Sequence, residues 1–439
     1  MNWMRATLIL LFLTLTACDL AGNGEATLAV TELPSVPTPA GTAVQETIPI
    51  TTTPIPPVTR SITLTIWTTT EIAPNNDVPG GSVLLQQLNT FDNDHPDMSI
   101  SVELKTIADQ GGTLSYLRTG RTVAPDILPD IVLLPASQLA TAAEQGLIFA
   151  LDESLEQEAV DDLYPVAQEL GHVGEQTFGY PFALTNMQHF AYNGSAITET
   201  VSGNWSQLVT DRPGTLIYPA AGFIGAELTA HFYREFGGTF VNDLGEPALE
   251  TEPLVDALEL IQTGISEGYI DPQSGNTASL DQAWQIFEGN PAHFIQTTAS
   301  FYLFRQAAGS NGNLRVAPLP GPGGPLTPTV GAWTWAISTP DPTRQALAVE
   351  LIRWLTSAPN MGDWCLESQL LPARRSAFEA WPQNAYLAFI QGQIAIARPM
   401  PVGLNNTVLT ALSDATTSVI LGLGTPGESA AQASAALQP

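Results

Sequence analysis

The sequence predicts an α/β protein of two lobes with a ligand cleft between them, and three observations carry that prediction. First, residues 62–104 run through an apolar alternation, a helical stripe and a second alternation, the strand–helix–strand order of a parallel sheet. Second, residues 61–437 are enough chain for two lobes of ordinary size, each with its own large core. Third, residues 179–193 read GYPFALTNMQHFAYN, with Thr185, Asn186, Gln188 and His189 at the centre of an apolar stretch. A polar centre is costly inside a core unless every amide is partnered, so the stretch suits a chain crossing between lobes along a wet cleft. An ordinary strand with one polar edge accounts for it equally well.

The elements follow in order. Ile62, Leu64 and Ile66 alternate with Thr63 and Thr65 and end on Trp67, a strand by its period of two. Thr68, Thr69, Thr70 and Glu71 make a polar loop. Ser82 precedes Leu84, Leu85, Leu88 and Phe91, an N-cap residue ahead of a helical stripe. After the His95-Pro96-Asp97 turn, Met98, Ile100, Val102 and Leu104 alternate again. Ile131 to Leu134 is a short continuous apolar run, as in a strand covered on both faces. It leads through Pro135, Ala136, Ser137 and Gln138 to a helix that reaches Glu144 and stops at Gly146.

Further along, Leu254, Leu258, Ile261 and Ile265 form a helical stripe closed by Gly268, and Leu280, Ala283, Trp284 and Phe287 form another closed by Gly289. His293 to Gln296 is a strand with Thr297, Thr298 and Ser300 at its end. The Pro and Gly run at residues 318–325 breaks any element and is expected to be a second crossover. The Ala-rich tail from Glu428 predicts a short terminal helix, and no fixed-period repeat is present.

The first 18 residues, MNWMRATLILLFLTLTAC, place Arg5 before an apolar segment and small residues before Cys18. They resemble a bacterial lipoprotein signal with its lipobox. The resemblance implies an acylated Cys18, and two or more chains, at about 0.8 kcal/mol per buried methylene, anchor stably. An uncleaved short helix is the plain alternative. Residues 19–60 are rich in Pro, Thr, Ala and Val, include TTTPIPP and lack aromatic residues, so they read as a semi-extended tether. No later stretch is long and apolar enough to span a bilayer, so the rest is expected outside the cytoplasmic membrane, tethered at one end.

With 43 acidic residues against 14 basic ones the formal net charge is -29. That excludes a general affinity for nucleic acid or anionic headgroups, which require a basic footprint. Neutral and cationic ligands remain open. Lys105 is the one lysine. With Cys18 acylated, Cys365 has no partner for a disulfide, and beside Trp364 and Leu366 it reads as a small buried hydrophobe.

Trp67, Phe91, His95-Pro96 and Pro129-Asp130-Ile131 occur in that order, followed by the crossover from Gly179-Tyr180-Pro181 to Tyr192-Asn193 and by Asn204-Trp205. GAWTWAIS at residues 331–338, RQALAVELIRWL at 344–355, Leu371-Pro372-Ala373-Arg374 and Arg398-Pro399 complete the series. In this order and spacing the chain resembles the extracellular solute-binding proteins of ABC importers, the family 1 group that includes the maltose-binding type. The resemblance implies a periplasmic-binding-protein-like fold of type II with interleaved lobes, residues 61–184 and 321–368 in the first and 185–320 and 369–439 in the second. It also implies a monomeric receptor without cofactor that captures a mono- or oligosaccharide and delivers it to ABC permease transmembrane subunits. Those partners would bind ATP, since no P-loop appears in the chain. Thr185 or Asn186 stands where maltose-type relatives often carry an acid, which weakens any transfer of maltose specificity. The same fold acting as a sensor or receptor for a non-sugar solute is the alternative, and a surface carbohydrate-active enzyme is a third reading.

Open parallel sheets bind ligands at the C-terminal ends of their strands, and a cleft collects the ends from both lobes. The candidates are therefore Trp67, Thr69, Glu71, Ser137 and Gln138 on the first lobe, Asn186 and Gln188 on the crossover, Ser300 and Tyr302 on the second lobe, Trp333 on the late strand, and Arg374. Aromatic faces with amide, hydroxyl and carboxylate neighbours suit a sugar, which offers apolar C–H faces and a rim of hydroxyls. Trp67 suits a lobe core as well as a stacking platform, and Glu71 also fits a solvated loop. Trp333 and Trp335 share a face, with Trp333 assigned to the cleft. Arg374 either reaches the ligand or pairs with a carboxylate across the lobes, while Trp205 resembles a structural helix-start tryptophan of the family.

Catalytic and metal residues are not expected. G-x-S-x-G, H-E-x-x-H and C-x-x-C are absent, and the five histidines lie apart without ligand spacing. Gly422, Gly424 and Gly427 match G-x-G-x-x-G but lack a preceding strand and include Pro426, so they read as a helix stop and a turn. Asp126 and Asp130 are a carboxylate pair of the kind so acidic a chain produces by chance.

Overall fold

The alternating run that opens the described chain forms β1 (Ile62–Thr69), and Ile66 and Leu64 bury completely on one face while Trp67 buries on the other. The coordinates are a computed structural model that describes residues 62–107, 111–309 and 313–438. The expected signal, Cys18 and the expected tether lie outside these residues. Helix α1 (Gly81–Asp94) follows, then β2 (Met98–Lys105), α2 (Thr113–Val123), β3 (Ile131–Pro135) and α3 (Leu139–Glu144). Ser82 does not cap α1. Gly80 occupies that place at φ 73°, where a Cβ would meet Ser368 Cβ at 2.8 Å, so tight packing and a left-handed backbone select glycine there.

The crossover stretch divides into β4 (Tyr180–Thr185) and β5 (Gln188–Asn193). Next come α4 (Trp205–Asp211), β6 (Thr215–Ile217), α5 (Phe223–Glu235), α6 (Thr251–Ser266), α7 (Leu280–Gly289), β7 (His293–Thr298), α8 (Ala299–Ala307) and β8 (Leu314–Ala317). The chain then returns as β9 (Thr329–Ile337), α9 (Pro342–Leu355), α10 (Ala358–Ser368), β10 (Leu371–Pro372), α11 (Ala385–Ile396) and β11 (Arg398–Pro399), and ends in α12 (Asn406–Ile420) and α13 (Pro426–Ala436).

Two main sheets result. The first runs β10-β4-β9-β3-β1-β2, with β11 beside the start of β9, and the second runs β8-β5-β7-β6. In the first sheet β1 is parallel to both β2 and β3, while β9 is antiparallel to β3 and to β4. Each sheet has apolar residues on both faces, as layers covered on both sides require. One core packs Leu64, Ile66, Leu133 and Trp335 against α1, α9, α10 and α11, and the opposite face packs Trp67, Val132 and Leu134 against α2 and α3. The second sheet packs Phe190, Leu216 and Phe294 against α5, α6 and α12 on one face and Ile217 and Ile295 against α7 and α8 on the other.

The lobe limits that the family resemblance implied shift at two places. Residues 371–396 pack with the first lobe, because β10 pairs with β4 and Leu387, Ile390 and Ile394 of α11 enter the first core. Gly321 instead accepts from Trp205 N (2.9 Å), and Leu319 and Leu326 lie in the second core. The chain therefore passes between lobes three times, at 185–188, between Ala317 and Thr329, and between Pro399 and Asn406. Gly422, at φ 66°, ends α12 in the left-handed conformation common after a helix.

Candidate functional site: the edges of two facing sheets

Strand register fixes which residues share an edge. Pro135 at the end of β3 stands opposite Trp333, Gly331 at the start of β9 stands opposite Thr185 at the end of β4, and β1 ends at Thr69 beside Lys105. These residues form one rim of the first sheet. In the second sheet, Gln188 at the start of β5 is opposite Thr298 at the end of β7, Ala317 at the end of β8 is opposite Phe190, and Ile217 ends β6 beside Ile295. They form one rim of that sheet. Only Asn186 and Met187 separate Thr185 from Gln188, so the rims stand within about 11 Å of each other there. The strand ends of two lobes thus face across a cleft.

Local structure explains what each rim offers. Thr69 is fully buried and its Oγ1 accepts from Ile72 N at 3.3 Å, which folds residues 70–72 into a turn that leaves Thr70 and Glu71 exposed. After β3, Ser137 is exposed and Gln138 is half-buried, with Oε1 buried and unpartnered among the described residues. Asn186 is exposed at φ 61°, a backbone region that asparagine tolerates better than most residues. Trp333 is half-buried at the rim, whereas Trp335 is 2 % exposed and stacks on Phe182 at 5.2 Å. Ser300 is half-buried in the first turn of α8, which starts where Ala299 N donates to Met187 O of the crossover (2.8 Å).

Besides Thr69, four more of the predicted residues turn their side chains away from the rims. Trp67 is 3 % exposed in the core beneath α2 and α3, with the Lys105 ammonium 4.4 Å from its ring centre. Tyr302 is 4 % exposed because its ring packs on Tyr386 at 4.3 Å and on His189. Arg374 turns inward, where Nε donates to Asp162 Oδ2 at 2.7 Å and Nη1 to Thr356 O at 3.0 Å. That carboxylate belongs to its own lobe. Gln188 is 5 % exposed; its Nε2 donates to Glu227 Oε2, and its Oε1 accepts from Gln296 Nε2, which also donates to Ile224 O at 2.8 Å. Burial pushes Glu227 up to about 8 against the opposing effect of the Gln188 bond, so this network is uncharged near neutral pH. Burial likewise pushes His189 down to about 4.

One rim residue escaped sequence reasoning. Phe223, 44 % exposed, opens α5 directly after the loop that leaves β6. The signal available was Gly222, a breaker between the apolar Leu216-Ile217 run and a helix. The rims together present hydroxyls, amides, one exposed carboxylate and two partly open aromatic faces. Among the described residues no cluster of three or more His, Cys, Asp or Glu is placed to hold a metal ion, and no helix is long and apolar enough to cross a membrane.

Comparison with known proteins agrees with this architecture. The sugar-binding protein MalE of Xanthomonas citri superposes with a TM-score of 0.67 at 16% identity, covering 85% of this chain and 96% of that one. The cyclic alpha-maltosyl-1,6-maltose binding protein of Arthrobacter globiformis gives 0.63 at 20% identity, covering 85% and 97%. The GacH receptor of Streptomyces glaucescens, solved unliganded and with acarbose, gives 0.61 at 18% identity, covering 86% and 97%. At such identities the likeness establishes the fold. No curated protein matches the sequence. The family profile described as bacterial extracellular solute-binding protein matches residues 86–388, and with that span, the two-lobed fold and the facing rims, the chain belongs to the bacterial extracellular solute-binding protein family.

Proposed function

We propose that the protein is a lipid-anchored receptor that captures a mono- or oligosaccharide between its lobes and hands it to the transmembrane subunits of an ABC importer, without turning it over. The observation that carries this reading is the pair of facing rims, which are amphipathic, mostly uncharged and joined by a short crossover. Trp333 on one side and Phe223 on the other offer C–H-binding faces, and Glu71, Ser137, Gln138, Asn186 and Ser300 offer donors and acceptors around them. Contacts to both lobes favour the closed form by the ligand's difference in affinity for the two states. The sugar-binding proteins that share this fold lend the reading its substrate class. Anchoring rests on Cys18 within its lipobox-like sequence, and the permease partner rests on membership of the family.

A thermal-shift panel on protein lacking residues 1–18, run against maltodextrins, other sugars, polyols, amino acids and polyamines, tests the proposal. Ligand at one hundred times its Kd adds about 2.7 kcal/mol and raises the melting temperature by several degrees. The expected result is a shift with one class of sugar that weakens at least about tenfold in affinity in Trp333→Ala and Asn186→Ala. A shift with a non-sugar solute alone would keep the receptor and reject the carbohydrate. Release of a cleaved product would reject the receptor reading altogether.

A further inference from the structure

Gln188 has a second neighbourhood that solute binding does not use. It opens β5 after the first crossover, and Thr329 opens β9 after the second. Between them lies a cavity of about 10 Å³ whose wall includes Gln188, His231, Thr327, Pro328, Thr329 and Gln393. His231 sits on α5 one turn beyond Glu227, and Gln393 projects from α11. Gln188, His231 and Thr329 are 5 %, 9 % and 4 % exposed. Such a volume admits the centre of one water, and a buried water requires two to four polar partners.

The partners have capacity left for it. Gln188 Nε2 keeps a second hydrogen after donating to Glu227, and its Oε1 keeps a lone pair after accepting from Gln296. His231 Nε2 and Thr329 Oγ1 stand 3.5 Å apart, at the outer limit of a direct bond, so neither group is tightly engaged by the other. Burial, with the Arg234 charge adding to it, pushes His231 down to about 4, so the ring is neutral and one of its nitrogens accepts. The Gln393 amide supplies both a donor and an acceptor.

We propose that this cavity is a binding site for a single structural water, held by Gln188, His231, Thr329 and Gln393, which ties the first two crossovers to α5 and α11 as an integral part of the hinge. The water belongs to the fold and not to the solute, so it is present whichever ligand the cleft takes. Its loss would loosen the two crossover strands against each other.

Water oxygen-17 relaxation dispersion on the full chain, with no solute added, tests this directly. The expected amplitude falls by the contribution of one long-lived water in Thr329→Val and in Gln393→Leu, with no further fall in the double variant. A crystal structure should show a density peak within about 3.2 Å of at least three of the four side chains, and Thr329→Val should remove it. Unchanged amplitude in both single variants, or a cavity without density in the wild type, would overturn the proposal. If Thr329→Val fails to fold, Gln393→Leu decides alone, since its side chain comes from a helix outside both crossovers.

Discussion

Asp130 is the residue on which the first sheet closes. Its side chain is 2 % exposed, Arg344 Nε donates to Oδ1 at 2.6 Å, and Thr65 N donates to Oδ2 at 2.8 Å. Arg344 also donates through Nη2 to Thr63 O at 2.6 Å, so one guanidinium clamps β1, the start of β3 and α9. Removing the cation strands a buried carboxylate, which is the expensive way to break an ion pair. Arg344→Met should therefore lose about 3–5 kcal/mol in urea unfolding, and a loss under about 1 kcal/mol would mean that Asp130 finds water instead. The sequence made Asp130 visible as part of a strand-opening motif. Its partner is 214 positions away, beyond anything a local pattern can report. A shorter gap, 39 positions, was enough to hide the role of Gln188: an isolated amide in an apolar run needed a reason, and that reason is Glu227 on another element.

At the scale of elements, legibility followed amphipathicity and punctuation. Helix α7 is legible because its apolar stripe has one side and Gly289 closes it, and α4 because Asn204 precedes Trp205. Helix α11, AYLAFIQGQIAI, is apolar nearly all round, as a helix enclosed on several sides tends to be. Leu387, Ile390 and Ile394 face the first core while Tyr386 and Phe389 pack edge-on against His189 of the second sheet. Without a polar face it offers no period to read, so nothing local in the sequence counters the boundary at residue 369 that the family resemblance implied. Asn204 shows how much one cap can hold. Its Oδ1 accepts from Gln207 N at 3.0 Å, and its Nδ2 donates to Pro322 O at 2.9 Å, fastening the second crossover to α4. Asn204→Ala should cost about 1–2 kcal/mol and speed hydrogen exchange in α4. Asn204→Asp, which keeps the cap acceptor and loses the donor, should recover part of the stability. Equal losses in the two variants would assign the effect to the crossover alone.

The whole molecule carries its charge problem in its pH dependence. Glu227 is raised from 4.5 to about 8, so between those values the unfolded chain is ionised there while the folded carboxyl keeps its proton, and stability falls as pH rises. His189 and His231 are lowered from 6.5 to about 4, so between those values the unfolded rings take protons that the folded ones refuse, and stability falls as pH drops. Two histidines outweigh one glutamate below 6.5, and the glutamate acts alone above it, which places the maximum near pH 6.5. Burial favours the neutral acid at Asp162, but its bonds to Ser376 and Arg374 prevail and hold it below the usual carboxylate range, so a further loss follows only at strongly acid pH. The formal net charge of -29 deepens the alkaline decline through self-repulsion. Urea midpoints taken from pH 4 to pH 9 should trace a single maximum near 6.5. In Glu227→Gln, which keeps the shape and hydrogen bonding of the side chain without its charge, the decline from 6.5 to 8 should flatten while the acid limb stays in place. An alkaline limb that survives that substitution unchanged would move its origin from the hinge network to the acidic surface, and raising the salt concentration, which screens surface repulsion far more than a buried charge, would then flatten it instead.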